Sequence, residues 1–224
     1  MAIDFPSNPT NGQVYGNWIY DSSITAWRNV NTDTGIGTLN AMGLKNVVPS
    51  SVVVSGGSAT TNSNGTVTFS GATSISLNDV FSSTYTNYQL NLVLTSASVA
   101  DADIRTRLRV SGTDSSSSYY EGGTMQIAGA LSAINNLNIT NWDLGRTHSA
   151  VEPNAHASMN FKVFQPFAAR PTTFYTESIS WNNNNTVTFR LGGFHSTLSS
   201  YTGITVFSST GTFGGILSVY GYTN

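Results

Sequence analysis

Few residues in this sequence could carry acid–base or metal chemistry, and the three histidines are the first to consider. His148, His156 and His195 lack the His-x-His or His-x₃-His spacing that is typical of a metal site. We therefore interpret them as surface or loop histidines and predict no metal ligands. The alternative is a metal ion on the axis of a trimer, held by His148 or His156 from each subunit.

Nucleophiles and paired carboxylates also show no catalytic pattern. Serine is abundant, but no Gly-x-Ser-x-Gly motif occurs where a strand could turn into a helix. Glycoside hydrolysis needs two carboxylates facing each other across a groove. Asp101 and Asp103 are close neighbours, and the remaining acidic residues that we considered are scattered: Glu121, Asp143, Glu152 and Glu177. No phosphate-binding loop is present. The sequence therefore predicts a protein that is not an enzyme and has no cofactor.

One group of charges has a regular spacing. Arg105, Arg107 and Arg109 alternate with uncharged residues, so in a strand their guanidinium groups project from one face. Such a stripe could bind an anion, for example an acidic polysaccharide or a carboxylate patch on a neighbouring protein. The alternative, which we favour, is that this face is simply solvated, or that the arginines pair with Asp101, Asp103 or an acidic residue of a neighbouring subunit.

Aromatic residues are the other resource for binding. Tyr119 and Tyr120 follow a serine-rich loop at 115–118, and we predict that they form an exposed pair able to contact a glycan. Trp142 and Trp181 are expected in the core or at an interface, because a large β-sandwich needs several aromatic residues for packing.

The composition limits the classes of partner. Only 9% of the 224 residues are charged, against about 25% in ordinary soluble domains, whereas 39% are hydrophobic. The formal net charge of −2 gives no electrostatic reason to bind nucleic acid. The first residues lack a signal peptide, no apolar run is long enough to insert into a membrane, and there is no cysteine. We expect synthesis in a cytoplasm without secretion.

Period-two alternation dominates from residue 47 onward. The run Thr66–Ser70 places Val67 and Phe69 on one face, and about ten similar runs follow, separated by turn residues such as those at 111–114 and 182–185. This pattern predicts an all-β protein, a sandwich or barrel of antiparallel strands. We divide the chain into an N-terminal module at 1–30, a linker at 31–46 and a β-domain at 47–224.

The N-terminal module has its own pattern. Asn11–Gly12 is a turn dipeptide, and short aromatic strands are expected at 14–15, 18–20 and 26–28. So small a segment cannot bury a core by itself. We therefore expect four aromatic side chains to dock onto another surface: Tyr15, Trp18, Tyr20 and Trp27.

The pattern Pro-x-x-Pro-x-x-Gly-x-x-Tyr…Trp-x-Tyr-Asp…Trp resembles a small aromatic hairpin found in structural proteins of tailed bacteriophages, often near the N-termini of fibres. The segments 42–88, 107–120 and 219–222 are similar to uncharacterised phage structural domains. The resemblance implies a jelly-roll-type β-sandwich located in a virion. It also implies that the N-terminal module docks onto another virion protein of the tail or capsid.

The resemblance leaves three functions open. The first is a tail fibre or receptor-binding protein whose sandwich contacts a glycan on the host surface. The second is a capsid (head) decoration or head-fibre protein that stabilises the shell. The third, a polysaccharide-degrading spike, is disfavoured because the chain is short and shows neither a β-helix nor a catalytic carboxylate pattern.

The scarcity of charge also bears on assembly. A surface rich in Ser, Thr and Asn can be covered by identical neighbours at a modest desolvation cost. We expect a homotrimer.

Overall fold

The computed structural model describes residues 5–16, 18–29, 43–148, 156–182 and 185–222. The chain divides into two units, Met1–Gly43 and Leu44–Asn224, and the described part of each contains strands and no helix. No helix among these residues is therefore long and apolar enough to span a membrane.

The N-terminal unit is a three-stranded antiparallel sheet in the order β1-β2-β3. Its strands are β1 (Val14–Tyr15), β2 (Trp18–Asp21) and β3 (Ala26–Asn29). The expected turn at Asn11–Gly12 is present, since the Gln13 N–H donates to the Thr10 carbonyl at 2.9 Å across it. The next turn is held by the Asp21 carboxylate, which accepts the Ser23 N–H at 2.9 Å.

The described part of the second unit contains the remaining fourteen strands, all paired antiparallel within one hydrogen-bonded sheet. They are β4 (Lys45–Asn46), β5 (Ser51–Thr61), β6 (Val67–Asn78), β7 (Asn87–Ala97), β8 (Asp103–Val110), β9 (Thr113–Asp114), β10 (Tyr119–Ile127), β11 (Ala130–Ile139), β12 (Trp142–Arg146), β13 (Ala157–Phe164), β14 (Thr172–Asn182), β15 (Asn185–His195), β16 (Gly203–Ser208) and β17 (Phe213–Tyr222).

This sheet folds over to make two layers. The large layer has the order β11-β10-β15-β14-β13-β7-β17 and continues onto the first half of β6, beyond which β5 is the edge strand. The second half of β6 pairs instead with β16, which leads to β8 and β12 in the small layer. Strand β12 packs across β13, β14 and β15 of the large layer, so the two layers enclose the core.

Glycine permits the bend at which β6 changes layer. The register of β5 against β6 shifts between Ser55 and Gly56, and Gly56, Gly57 and Gly71 all have positive φ. A Cβ at position 57 would lie 1.9 Å from the Ser70 carbonyl oxygen. The backbones of β5 and β6 therefore approach more closely here than any residue with a side chain would allow.

The core follows the alternation of the strands. In β13 the odd residues are buried, and in β7 the even ones from Tyr88 to Leu94 are. Trp142 of β12 is fully buried and stacks on Phe174 of β14 with ring centroids 4.4 Å apart. Each Å² of apolar surface that is buried stabilises the fold by roughly 25 cal/mol. Because both rings are large and their faces are in contact, this pair is a main link between the layers.

The predicted fold class, an all-β antiparallel sandwich of jelly-roll type with a small N-terminal β-module, is confirmed. The N-terminal module is two successive hairpins rather than one. Most of the expected linker at 31–46 lies outside the described residues. Its last two residues form β4 and pair with Tyr220 and Gly221 of β17.

Replacing Gly57 with alanine should destabilise the sandwich by on the order of 3 kcal/mol or more, because the new Cβ collides with backbone. The matched control is Gly112→Ala. Gly112 also has a positive φ of 77°, but nothing lies within 4 Å of its Cβ position, so a loss of about 1 kcal/mol is expected there. Urea unfolding measures both, and equal losses would contradict the close-approach argument.

Candidate functional site

The outer face of the large layer, turned away from the core, carries a groove of about 800 Å³. The groove crosses six strands from β7 to β11. A twisted and curled sheet presents such a concave face when no second layer covers it. The outward residues of β13 and β14, which alternate with core residues, therefore line a recess that is open to solvent.

Polar side chains form a row across the groove. The strand register aligns Asn91, Asn160, Glu177, Arg190 and Thr124 as successive cross-strand partners on β7, β13, β14, β15 and β10. Neighbouring strands lie about 4.8 Å apart, so this row extends over roughly 19 Å. That length suits an extended ligand with several polar groups better than a single small ion.

Hydrogen bonds organise the row in pairs. The Asn160 Nδ2 donates to Asn91 Oδ1 at 2.8 Å, and Gln89 Nε2 donates to the same oxygen at 3.3 Å. The Arg190 guanidinium lies 3.4 Å from Glu177 Oε1, so the two charges at the centre of the groove offset each other. Because both side chains are more than half exposed, their pairing is weak and a ligand can compete for it.

Tyr175 extends the polar surface. Its hydroxyl donates to Glu177 Oε1 at 2.8 Å, and this hydrogen bond raises the pKa of Tyr175 because ionisation would end it. The phenol is therefore neutral and remains available to accept a hydrogen bond from a ligand at physiological pH.

Apolar and aromatic surface borders the polar row. Three apolar residues line the groove in the next outward-facing row, two residues further along the strands. They are Val93, Ile179 and Leu131, which are 39%, 53% and 70% exposed. Trp181, on the same face of β14, is 47% exposed. Amide, hydroxyl and charged groups next to flat apolar surface can bind a molecule that has many hydroxyl groups and apolar C–H patches.

The structure separates the two tyrosines that were expected to form an exposed pair. Tyr119 faces the core, is fully buried and packs edge-on against Trp142, so its prediction as a glycan contact is wrong. Successive residues of a strand point to opposite faces, and Tyr120 therefore lies on the outer face, stacked on Phe194 at 4.7 Å. Tyr120 is not among the residues that line the groove.

The arginine stripe lies on β8 in the small layer, and two of its members have anionic partners. Arg105 bonds Asp103 at 3.0 Å and Asp143 at 3.1 Å, in line with the favoured expectation of pairing. Arg107 donates to the Thr140 carbonyl at 2.9 Å and lies over the Phe207 ring at 4.7 Å.

Arg109 is only 8% exposed and is surrounded by hydrogen-bond acceptors. It pairs with Asp114 and donates to Thr205 Oγ1 at 2.7 Å, Ser76 Oγ at 2.9 Å and Asn78 Oδ1 at 3.2 Å. A guanidinium so enclosed joins β6, β8, β9 and β16, and it is not accessible to an external anion. For Arg109, the anion-binding alternative is therefore wrong.

Two histidines lie in the interior rather than on the surface. His195 is fully buried on β15, where its ring bonds Ser115 Oγ at 2.9 Å and Tyr201 OH at 3.1 Å, and burial lowers its pKa. His148 is buried and His156 is exposed. The described ranges contain no group of three potential metal ligands among their His, Asp and Glu residues.

A buried carboxylate at the edge of the sandwich was not singled out from the sequence. Glu121 is 3% exposed and accepts hydrogen bonds from Asn136 Nδ2 and from the Asp143 N–H, both at 2.8 Å. Burial, assisted by the negative charge of Asp143, raises the pKa of Glu121 to about 7. This carboxylate connects β10, β11 and β12.

In the N-terminal unit, the four expected aromatic residues gather around a fifth, Phe5. The Phe5 ring stacks on Trp27 at 5.0 Å and meets Trp18 and Tyr15 edge-on at 5.5 and 5.9 Å, while Tyr20 lies 5.5 Å from Trp27. None of the described side chains of this unit is buried. The aromatic rings therefore contact one another and still present apolar surface.

The residues of the groove could not be identified from the sequence. Asn91, Asn160, Glu177 and Arg190 are separated by up to 99 positions, and only the pairing of their strands aligns them. The one available signal was alternation, which marks them as outward residues but gives no information on which strands are neighbours.

No family model matches the chain, and no curated protein matches it. Among solved structures, domain 4 of AbnA, a GH43 extracellular arabinanase from Geobacillus stearothermophilus in complex with arabinotriose, is similar over 80% of this chain and 92% of that domain, at 13% identity and a TM-score of 0.31. Peanut lectin with a 9mer peptide is similar over 75% of this chain and 89% of the lectin, at 11% identity and a TM-score of 0.27. At these values the likeness concerns the fold and carries no argument about function.

The free energy of unfolding should fall as the pH rises from about 5 to 8. The pKa of Glu121 is about 7 in the folded protein and near 4.5 when unperturbed, so the folded state binds more protons across this window. In Glu121→Gln, a side-chain amide takes the place of the neutral carboxyl group. The Asn136 amide can turn so that its oxygen accepts a hydrogen bond from the new NH₂ group. We expect the variant to lose at least 1 kcal/mol of this pH dependence.

Urea unfolding at a series of pH values measures the effect, and Glu177→Gln is the control, because Glu177 is an exposed carboxylate. If Glu121→Gln has the same pH profile as the unsubstituted protein, Glu121 ionises normally and the argument is wrong.

Proposed function

We propose that this protein is a virion structural protein of a tailed bacteriophage, of the tail-fibre or receptor-binding type, and that its β-sandwich binds a glycan on the host surface. The N-terminal unit attaches it to another virion protein. The observation that carries the glycan proposal is the open groove of about 800 Å³ with its polar row and apolar border. The virion setting rests on the sequence resemblance of the N-terminal and sandwich segments.

The chemistry of the groove supports a glycan. Sugars present hydroxyl groups that both donate and accept, and the amides of Asn91 and Asn160 and the hydroxyl of Thr124 can do the same. Arg190 and Glu177 balance in charge, so a neutral sugar meets no unpaired charge at the centre of the groove. Ile179 and Leu131 supply apolar surface for the C–H faces of a sugar ring.

The aromatic cluster of the N-terminal unit supports attachment. Tyr15 is 44% exposed, and Val14 beside it is 63% exposed. Exposed aromatic side chains held in fixed positions are typical anchors of protein–protein interfaces, since they bury large area with little loss of conformational entropy. A partner protein that covers this cluster would complete the core that so small a sheet lacks.

Asn160→Ala and Arg190→Ala should each weaken glycan binding about tenfold or more, equivalent to about 1.4 kcal/mol, through the loss of hydrogen bonds to the ligand. The measurement is a screen of the intact protein against an array of bacterial surface glycans, followed by calorimetric titration of the strongest ligand. Both side chains are exposed, so the variants should fold normally.

The matched control for Arg190 is Arg170→Ala, an exposed arginine outside the groove, which should bind as the unsubstituted protein does. Arg107→Ala tests the arginine stripe. If binding is lost with Arg107→Ala and retained in the groove variants, the glycan site lies on the small layer. If no glycan binds at all, the receptor-binding proposal is wrong.

Capsid decoration is the second candidate, and the partly exposed aromatic cluster supports it equally, because an apolar anchor can dock onto a capsid as well as onto a tail. Stabilisation of the shell would not require the groove. The two candidates therefore differ in copy number and in whether groove variants have a phenotype.

Deleting residues 1–30 should abolish incorporation into particles, because the deletion removes the whole aromatic cluster. Quantitative mass spectrometry of purified particles, relative to the major capsid protein, measures incorporation and copy number together. A small number that matches tail symmetry favours the fibre, whereas a number on the scale of the capsid protein favours decoration. Incorporation of the truncated protein at the normal level would refute docking through this unit.

A further inference from the structure

Strand β11, Ala130–Ile139, is an unprotected edge of the large layer. In the part of the chain that the structure describes, it pairs with β10 and with no other strand. None of its ten residues is buried. Its sequence, Ala-Leu-Ser-Ala-Ile-Asn-Asn-Leu-Asn-Ile, contains no charged residue, proline or glycine. The unpaired side of its backbone is therefore available to another strand.

The other edges of the sandwich carry features that oppose strand addition. Strand β12 has only five residues, includes the charged Asp143 and Arg146, and has a register shift next to Gly145. Strand β5 is interrupted at Gly56 and Gly57, where its register shifts. Short length, charge and bulges are the usual protection against edge pairing, and β11 has none of them from residue 130 to 136.

Two leucines on β11 are among the most exposed apolar side chains of the sandwich. Leu131 is 70% exposed and Leu137 is 66% exposed. Alternation along 131–137 places both on the outer face of the large layer, where Leu131 lines the groove. Leu137 lies where the register against β10 shifts, between Asn136 and Ile139, just before the positive φ of Asn138. Such a pair on an unpaired edge indicates a surface that is covered in the assembled protein.

We propose that β11 pairs antiparallel with β11 of a second copy of this chain, about a two-fold axis at Ile134. In this register Leu131 lies opposite the second copy's Leu137, and Ala133 lies opposite its Asn135. Both exposed leucines of each copy are then covered at once. Because β11 carries no charge, the two identical edges meet without repulsion.

The pairing joins the two large layers into one continuous sheet. Since Leu131 lines the groove of each copy, the two grooves lie on the same face on either side of the junction. Two linked sites would bind a polyvalent surface more tightly than one. The pairing itself does not depend on the nature of the ligand, and it gives a dimer where the composition predicted a homotrimer.

Sedimentation equilibrium of the full chain, at concentrations from roughly 1 to 100 µM, should give twice the mass of one chain at the upper end. An interface of about seven paired residues a side is small, so a dissociation constant in the micromolar range is expected. The double variant Leu131→Lys, Leu137→Lys should raise this constant at least tenfold, because four charges would meet at the junction. Leu198→Lys is the matched control, since Leu198 is 68% exposed and lies outside β11.

Cysteine cross-linking tests the register, because the chain has no cysteine of its own. Residues 131 and 137 are about 20 Å apart along the strand at 3.4 Å per residue. Leu131→Cys alone and Leu137→Cys alone should therefore not cross-link to themselves in the dimer. A mixture of the two variants should form a disulfide under mild oxidation, since directly opposite residues lie within disulfide range.

A single species of monomer mass across this range would overturn the proposal, and so would a trimer. A dimer that survives the double lysine variant, or one in which Leu131→Cys cross-links to itself, would overturn the β11 interface or its register. Circular dichroism of every variant establishes that the sandwich is folded, so that loss of the dimer is not loss of the fold.

Discussion

The passage of β6 from one layer to the other is the constraint on which the rest of the sandwich depends. Its first half pairs with β17 and its second half with β16, so one strand belongs to both layers. The bend needs Gly57, because no side chain fits between the backbones of β5 and β6 at that point. Once the small layer lies over one face of the large layer, the other face remains uncovered and can form the groove.

The sparse charges of the chain are placed where they join strands or offset each other. Arg109 is enclosed by acceptors from three neighbouring strands, β6, β9 and β16, and Glu121 connects β10 and β11 of the large layer to β12 of the small layer. In the groove, Arg190 and Glu177 offset each other in solvent. Only 9% of the residues are charged, so the chain can form few ion pairs. The charged groups inside the fold fix the positions of neighbouring strands relative to one another.

The two units make different uses of their aromatic residues. In the sandwich, Trp142 and Phe174 lie face to face inside the core and hold the layers together. In the N-terminal unit, Phe5 and Trp27 also stack, with ring centroids 5.0 Å apart, but none of the described side chains there is buried. The first arrangement stabilises a completed fold, whereas the second leaves apolar area that a partner can cover.

The sequence by itself determined the type of most main elements, although it gave no sign of β11 over 130–136. Period-two alternation from Thr66 onward predicted strands, the Asn11–Gly12 dipeptide predicted its turn, and Trp142 was expected in the core or at an interface. These are local properties, since the direction of a side chain follows from its position in a strand. Only the tertiary structure decided that Tyr119 is buried and Tyr120 is not, that Arg109 is enclosed, and that Asn91, Asn160 and Glu177 share a row. The reason is that strand order and register join residues far apart in the chain, and no local pattern specifies which strands become neighbours.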